Sequence, residues 1–447
     1  MRFYIKTYGC QMNERDSDSA AALLQSEGHI PADSEEDADL VILNTCSVRD
    51  QAERKAIGKL GIMKRLKKEN PNMIFGIMGC MAQSRGEELL RKIDHLDFSL
   101  GTDQIHRLPE IVDSILARRS KVLADERTGA DTPGIDMHRV EPDGGHGFSA
   151  FVSIMRGCSR FCSYCIVPYA RGPERSRDPA SVVAEVRALA GRGVREVMLL
   201  GQNVAAFGLD NQAPARDDIS PFADLLEQLN AINGLRRIRF TSPHPAYFNK
   251  KLVAAVTGLD KVCKSVHLPL QSGSDRILRK MNRPYTAQEY LEIVRALRAG
   301  SPEITFSTDV IVGFPTETEE DFQQTRNVMA DVGFDNAYIF KYSPRQGTRS
   351  ARWADDVPVE EKELRNQLLL KDLENSLRER NAALTGRIFE IMAEGPSKRN
   401  PARWQGRTDT FKNVVFTPDP ADAIAPGDFR MVRIVRTTAM TLYGELI

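Results

Sequence analysis

At 447 residues the chain has room for about three domains at roughly 150 residues each, and its 41% hydrophobic content excludes general disorder. Lys plus Arg and Asp plus Glu both number 61, so net charge singles out no polyanionic partner. No apolar run approaches the ~18 residues of a membrane span, the first residues turn polar too soon for a secretion signal, and seven cysteines fit no disulfide scaffold. A cytoplasmic, reducing compartment is expected.

The first 120 residues alternate short apolar runs with amphipathic stretches. Strands are predicted at Arg2–Tyr8, Asp39–Asn44 and Met73–Met78, and helices at Asp18–Glu27, Gln51–Lys68, Glu87–Ile93 and Leu108–Arg118. This is the alternation of an open parallel α/β sheet. Each predicted strand ends alike, in Tyr8-Gly9-Cys10, Asn44-Thr45-Cys46 and Met78-Gly79-Cys80. A lone cysteine after a strand is usually a small packing residue. Three at the same place in successive βα units point instead to a shared site, because strand C-termini of a parallel sheet lie on one edge.

Residues 121–147, rich in Gly, Pro, Asp and His, read as a linker. A second β/α series spans 148–378, with strands at Phe151–Met155, Glu196–Leu200, Arg237–Phe240, Ser265–Leu268, Thr305–Ile311 and Asn336–Phe340. Its helices are Pro179–Ala190, Pro221–Leu229, Tyr285–Ala299 and Glu319–Val332, closed by a long charged helix at Glu360–Leu384. Six strands of this kind predict a partial (β/α)6 barrel of TIM type, with functional groups at strand C-termini. The region 379–447 changes to short alternating strands between Pro and Gly turns, as in a small antiparallel β-barrel. Its Arg403, Trp404, Arg407 and Lys412 mix cations with an aromatic, a pattern suited to RNA.

The strongest chemical signal follows the first strand of the second series, where Cys158, Cys162 and Cys165 form CxxxCxxC. Three thiolates so close call for a soft metal, and a structural zinc would need a fourth ligand, for which His244 and His267 are the candidates. An iron–sulfur cubane with three protein ligands leaves one iron open to a small molecule. That iron can chelate the amino and carboxylate groups of S-adenosylmethionine, whose reductive cleavage yields a deoxyadenosyl radical.

Here the chain resembles the radical S-adenosylmethionine methylthiotransferases along almost its full length. The resemblance rests on TYGCQMNERDSD, LNTCSVRDQAE, GIMGCMAQ, RGCSRFCSYCIVPYARGPERSR, LLGQNVAAFG, TSPHP, HLPLQSGSDRILRKMNR, DVIVGFPTETEEDF and YSPRQGT. It is most similar to the tRNA branch that methylthiolates isopentenyladenosine beside the anticodon. Sister branches act on threonylcarbamoyladenosine or on a ribosomal-protein aspartate, and Gln11-Met12-Asn13 with Ser47-Val48-Arg49 separates this chain from them. The resemblance implies two 4Fe–4S clusters, one on Cys158, Cys162 and Cys165 and an auxiliary one on Cys10, Cys46 and Cys80, together with a TRAM domain at the C-terminus. It implies a radical that takes the hydrogen from carbon 2 of the adenine, and sulfur delivered through the auxiliary cluster as a methylthio group. Both clusters are expected to serve one base.

Tyr164, Gln202, Asn203, Gln271, Ser272, Gly273, Asp309 and Gly313 are expected to face the cofactor. Arg171, Arg175 and Arg177, with Glu174 the one acid between them, are expected to receive tRNA phosphates beside Arg403, Arg407 and Lys412. Cys263, His244 and His267 read as structural. A flavodoxin- or ferredoxin-type electron donor, a tRNA bearing isopentenyladenosine and a monomeric state complete the expectations.

Overall fold

The computed structural model describes residues 1–47, 50–118, 120–126, 147–210, 212, 218–418 and 423–447. Val48 and Arg49 of the second motif, and most of the stretch read as a linker, lie outside them. The chain divides into two units.

The first unit comprises residues 1–143 with 156–161 and 165–175. Its elements are β1 (Arg2–Tyr8), α1 (Gln11–Ser26), β2 (Ile30–Pro31), β3 (Leu40–Thr45), α2 (Asp50–Glu69), β4 (Ile74–Gly79), α3 (Cys80–Lys92), β5 (Phe98–Leu100), α4 (Leu108–Arg118) and β6 (Val122–Ala124). The six strands form one parallel sheet in the order β2-β1-β3-β4-β5-β6. β3 and β4 are buried throughout, and their near-continuous apolar run is what a strand covered on both faces requires. One core joins Leu24, Leu40, Ile42, Phe98 and Val112, and a second joins Val41, Leu43, Leu60, Phe75 and Ile77. Two helices start earlier than their hydrophobic periodicity suggests: α1 runs from residue 11 and α3 from Cys80 itself. In its first turns α1 buries the polar Asn13, Arg15, Asp16 and Ser17 beside a single apolar residue, Met12, so an apolar pattern could not register them. β6 lies inside the stretch read as linker.

The second unit comprises residues 144–155, 162–164 and 176–447. It opens with β7 (Ser149–Ser153); the chain then passes the clustered cysteines through β8 (Met155–Arg156), α5 (Val167–Arg171) and β9 (Arg175–Ser176), of which α5 belongs to the first unit. Then follow α6 (Pro179–Gly191), β10 (Glu196–Leu200), α7 (Pro221–Asn230), β11 (Arg237–Phe240), α8 (Lys250–Gly258), β12 (Ser265–His267), α9 (Asp275–Lys280), α10 (Ala287–Gly300), β13 (Thr305–Val312), α11 (Glu319–Val332), β14 (Asn336–Lys341) and α12 (Val359–Ala382). The parallel trios β7-β10-β11 and β12-β13-β14 are joined by a bridge from Ile238 to Val262, so six strands run in sequence order as a partial barrel. The core beneath the helices unites Val152, Leu199, Phe222, Val266, Tyr290, Val310 and Phe322.

The last 60 residues form a closed barrel of β15 (Ile388–Ser397), β16 (Asn400–Thr408), β17 (Asn413–Thr417), β18 (Phe429–Thr437) and β19 (Leu442–Leu446), in the order β15-β16-β17-β19-β18. It is not wholly antiparallel as expected, because β17 and β19 pair in parallel. The loop 408–412 docks on the N-terminal ends of the partial-barrel strands. Arg239 donates to the carbonyls of Thr408 (2.7 Å) and Asp409 (2.8 Å) while its Nε holds Glu196 at 2.7 Å. Arg237 donates to the Arg407 carbonyl at 2.7 Å, and Thr305 Oγ1 to that of Thr410 at 2.8 Å. These donors stand at the strand ends opposite to those that carry the predicted cofactor residues.

Candidate active site

Strand register sets the first half of the site. Tyr8 pairs with Thr45, and Thr45 with Gly79, so the chain leaves three neighbouring strands at one level of the sheet edge. Cys10, Cys46 and Cys80 follow directly. Cys10 caps the N-terminus of α1 and Cys80 is the first residue of α3, and the positive end of a helix dipole favours thiolate over thiol. The thiols converge: the hydrogen bond with Cys46 leads the effects that draw the Cys10 thiol down to about 5, against burial and aided by the charge of Arg171. Cys80 is raised by burial, with Arg171 pulling the other way through its charge and a hydrogen bond.

Two buried amides lock this edge. Asn13 Nδ2 donates to Asn44 Oδ1 (2.9 Å) and to the Thr45 carbonyl (3.2 Å), while Asn44 Nδ2 returns to the Asn13 carbonyl (2.7 Å) and to Ser17 Oγ (2.9 Å). Gly79 makes this approach possible. Its φ is +92°, and a Cβ there would stand 2.4 Å from Asn44 Oδ1.

Beneath the thiols lies an ion cluster. Asp16, fully buried, accepts from Arg156 Nη2 at 3.0 Å through one oxygen and from Arg171 Nη2 at 2.9 Å through the other. Arg171 therefore corrects an expectation: buried against Asp16 and Cys80, it is out of reach of a phosphate, and it serves the thiol site. Arg175 and Arg177 are likewise held, by Asp103 at 2.8 Å and by Glu185 at 2.6 Å. Those acids are remote from or outside the loop in sequence, so the loop looked richer in unpaired charge than it is. Asp16, Asn13 and Asn44 were not picked as site residues. Their sequence signal is a helix whose buried face starts polar.

Cys158, Cys162 and Cys165 are half-buried on the loop after β8. Gly157 turns that loop at φ +77°, where a Cβ would meet the Pro173 carbonyl at 1.9 Å, and Cys158 N–H donates to the Gly172 carbonyl at 3.0 Å. In the second unit, Ser163 N–H donates to the Met281 carbonyl (3.0 Å) and Ser163 Oγ to that of Lys280 (2.8 Å). Tyr164 meets Phe314 edge-on at 6.4 Å, within a cluster completed by Ile277, Met281 and Tyr342.

The other expected cofactor residues divide. Gln202 sits just past β10 with a buried Oε1 that has no partner among the described residues. Gln271 continues the line of β12 by bridging Val310, and does so at φ +69°, a conformation strained for a residue with a side chain. Asp309 bonds His267 Nε2 at 3.2 Å. Asn203, Ser272, Gly273 and Gly313 are taken up by the scaffold. Asn203 Oδ1 receives His244 N–H, Ser272 Oγ receives Ser274 N–H, Gly273 N–H donates to Thr325 Oγ1, and Gly313 N–H donates to Glu317 Oε2. Of the three residues picked for RNA in the C-terminal barrel, Arg403 is exposed and Arg407 is half-exposed with Glu394 at 3.0 Å. Lys412 is a correction: its ammonium ties the docking loop to Asp335 (2.9 Å) and to Asn381 (3.0 Å).

Among the described residues, no group of three His, Cys, Asp or Glu side chains is drawn up to metal-ligand spacing. What fits an iron–sulfur group is the donor chemistry: two thiol triads, one with a thiol already acidified and a buried guanidinium beside it. Among those residues, no helix is long and apolar enough to cross a membrane.

Comparison with known proteins gives three successive matches along the chain. Residues 2–101 match the model of the uncharacterized protein family UPF0004, 152–329 that of the radical SAM superfamily, and 382–447 that of the TRAM domain. A tRNA-2-methylthio-N(6)-dimethylallyladenosine synthase of Opitutus terrae is 46% identical over 100% of this chain and 97% of its own. Proteins of that name from Akkermansia muciniphila (99% of this chain, 98% of its own) and Moorella thermoacetica (100% and 98%) are each 44% identical. Among solved structures, the radical S-adenosylmethionine methyltransferase TsrM of Kitasatospora setae, with cobalamin and a [4Fe-4S] cluster bound, superposes with a TM-score of 0.56 at 14% identity. That match covers 78% of this chain and 77% of TsrM, a likeness of fold.

Proposed function

This chain belongs to the tRNA-2-methylthio-N(6)-dimethylallyladenosine synthase family, and from that premise we propose that it methylthiolates carbon 2 of isopentenyladenosine beside the anticodon of tRNA. The observation that carries the reading is the common register of Tyr8, Thr45 and Gly79, which delivers Cys10, Cys46 and Cys80 to one sheet edge in a chain that also holds CxxxCxxC. Cys158, Cys162 and Cys165 would hold one 4Fe–4S cluster with S-adenosylmethionine, and Cys10, Cys46 and Cys80 an auxiliary one. Together these groups supply hydrogen abstraction from an aromatic C–H bond, which resists polar activation, and a transferable methylthio unit.

The protein's own part is placement. The helix N-termini and the Cys46 hydrogen bond keep the Cys10 thiol ready to deprotonate, so ligation needs no strong base. Arg171 answers the negative charge of the thiolates from below and is itself oriented by Asp16. Tyr164, backed by Phe314, offers a ring face for an adenine, and Gln202, just past β10, offers an acceptor that has no partner among the described residues. A small one-electron carrier protein of flavodoxin or ferredoxin type would feed the clusters, and Arg403 on the exposed side of β16 would meet RNA backbone.

Anaerobically reconstituted protein should contain about eight iron atoms, and about four would remove one cluster. With dithionite and S-adenosylmethionine, the Cys10→Ala variant should still release deoxyadenosine while mass spectrometry of the tRNA finds no methylthio product. Loss of both activities together would sink the division of labour between the two triads.

A further inference from the structure

Alternation along the last barrel strands leaves one face part-exposed. In β13 the residues Thr308, Val310 and Val312 are buried toward the helices, while Ser307, Asp309 and Ile311 point the other way and are part-exposed. The parallel register places Asp309 beside Tyr338 and Ile311 beside Phe340 on β14, and His267 beside Ser307. On β14 the pattern repeats: Ala337 is buried and Ile339 packs on the helix-side core, whereas Tyr338 is 46% and Phe340 42% exposed. Inward positions of a small parallel barrel are normally filled by bulky side chains packed in layers. Two aromatic rings left open on that wall are therefore an unfilled surface and not an ordinary core.

The wall is also held rigid. His267 is bonded through Nδ1 to Ser307 Oγ at 2.9 Å and through Nε2 to Asp309 Oδ2 at 3.2 Å, so its ring cannot turn. The Tyr338 ring stands edge-on to it, 6.0 Å between centroids. Ile311 reaches the aromatic cluster of Phe314 and Tyr342 on which Tyr164 of the cysteine loop also packs, so the strip is continuous with the residue expected to hold the cofactor.

We propose that Tyr338, Phe340 and Ile311 form the sleeve that receives the branched five-carbon substituent of the substrate adenine, with the Ser307–His267–Asp309 brace fixing Tyr338 for that contact. This rests on the reading above and adds the residues that set its substrate preference. The chemistry favours that occupant. Apolar aromatic and branched surface gains about 0.8 kcal/mol for each CH₂ group it buries. A sister substrate whose N6 group ends in a carboxylate would instead be brought toward the Asp309 carboxyl group, a repulsive element that works against the wrong base.

The test compares two anticodon stem-loop RNAs, identical except that one carries isopentenyladenosine and the other adenosine, on the fully reconstituted enzyme. Both rings are exposed, so Tyr338→Ala/Phe340→Ala should fold, and iron content and melting temperature check that it does. Wild type should prefer the prenylated RNA in kcat/KM. The double variant should lose at least about tenfold of that preference, chiefly through KM, which corresponds to about 1.4 kcal/mol; Phe340→Leu should restore most of it. A double variant that keeps the wild-type preference overturns the sleeve while leaving the activity assignment intact. A wild-type enzyme that modifies neither RNA overturns the activity assignment, and the sleeve with it.

Discussion

Replacing Asp16 by Asn tests the ion cluster under the thiols. The carboxylate is fully buried and bonded to two guanidinium groups that are themselves 6% (Arg156) and 4% (Arg171) exposed. Asn keeps the shape and removes the charge, leaving two cations in a medium that disfavours them. Breaking a buried pair from one side costs about 3–5 kcal/mol, because the stranded charge loses both water and partner. At 2–4 °C per kcal/mol for a domain of this size, the melting temperature of the first unit should fall by roughly 6–20 °C. Urea unfolding of the apoprotein reads the total. Hydrogen exchange at the α1 amides assigns it, since Asp16 sits in that helix. Adding Arg171→Met should return part of the loss, because one stranded charge is then gone. An Asp16→Asn protein within about 1 kcal/mol of wild type, with α1 equally protected, would refute the cluster as a source of stability and orientation.

Two further outcomes follow from the second unit. Arg239→Met removes the donors to Thr408 and Asp409 and strands Glu196, so limited proteolysis near residue 385 should release the C-terminal barrel much faster than in wild type; an unchanged cleavage rate would mean that the docking loop holds without it. Cys263 is pushed up to about 11 by burial, with Arg239 and Arg237 acting against that. The native thiol thus keeps its proton where the unfolded one, near 9.0, releases it, so stability is present below pH 9 and is lost as pH rises toward 11. Wild type should lose about 2–3 kcal/mol more than Cys263→Ala over that interval, and parallel pH curves for the two proteins would contradict the burial.

The element types and the chemistry of both thiol triads were legible along the chain. Apolar alternation marked β1, β10 and β11, and the six cysteines proposed as cluster ligands stood in recognisable places. Local periodicity failed where polar residues are buried. The first turns of α1 went unseen because Asn13 and Asp16 hold other parts of the fold instead of facing water. The strand Asn400–Thr408 carries no apolar alternation over its first four residues, which are all exposed, so its start is not legible in the sequence.

Charge shows the same limit. Read in sequence, Arg171, Arg175 and Arg177 had one acid between them, and a phosphate-binding rim was the natural inference. Asp16 and Asp103, the partners of Arg171 and Arg175, lie 155 and 72 residues away along the chain, and only Arg177 finds its acid, Glu185, eight residues on. Lys412 met Asp335 in the same way. What a residue type can do chemically, and which face of a strand it occupies, follows from local covalent geometry, so residue order alone decided the spacing of the two cysteine triads and the β/α alternation. Which charge neutralises which, and which aromatic is left bare as Tyr338 and Phe340 are, depends on surfaces brought together from distant segments, and that was decided by packing.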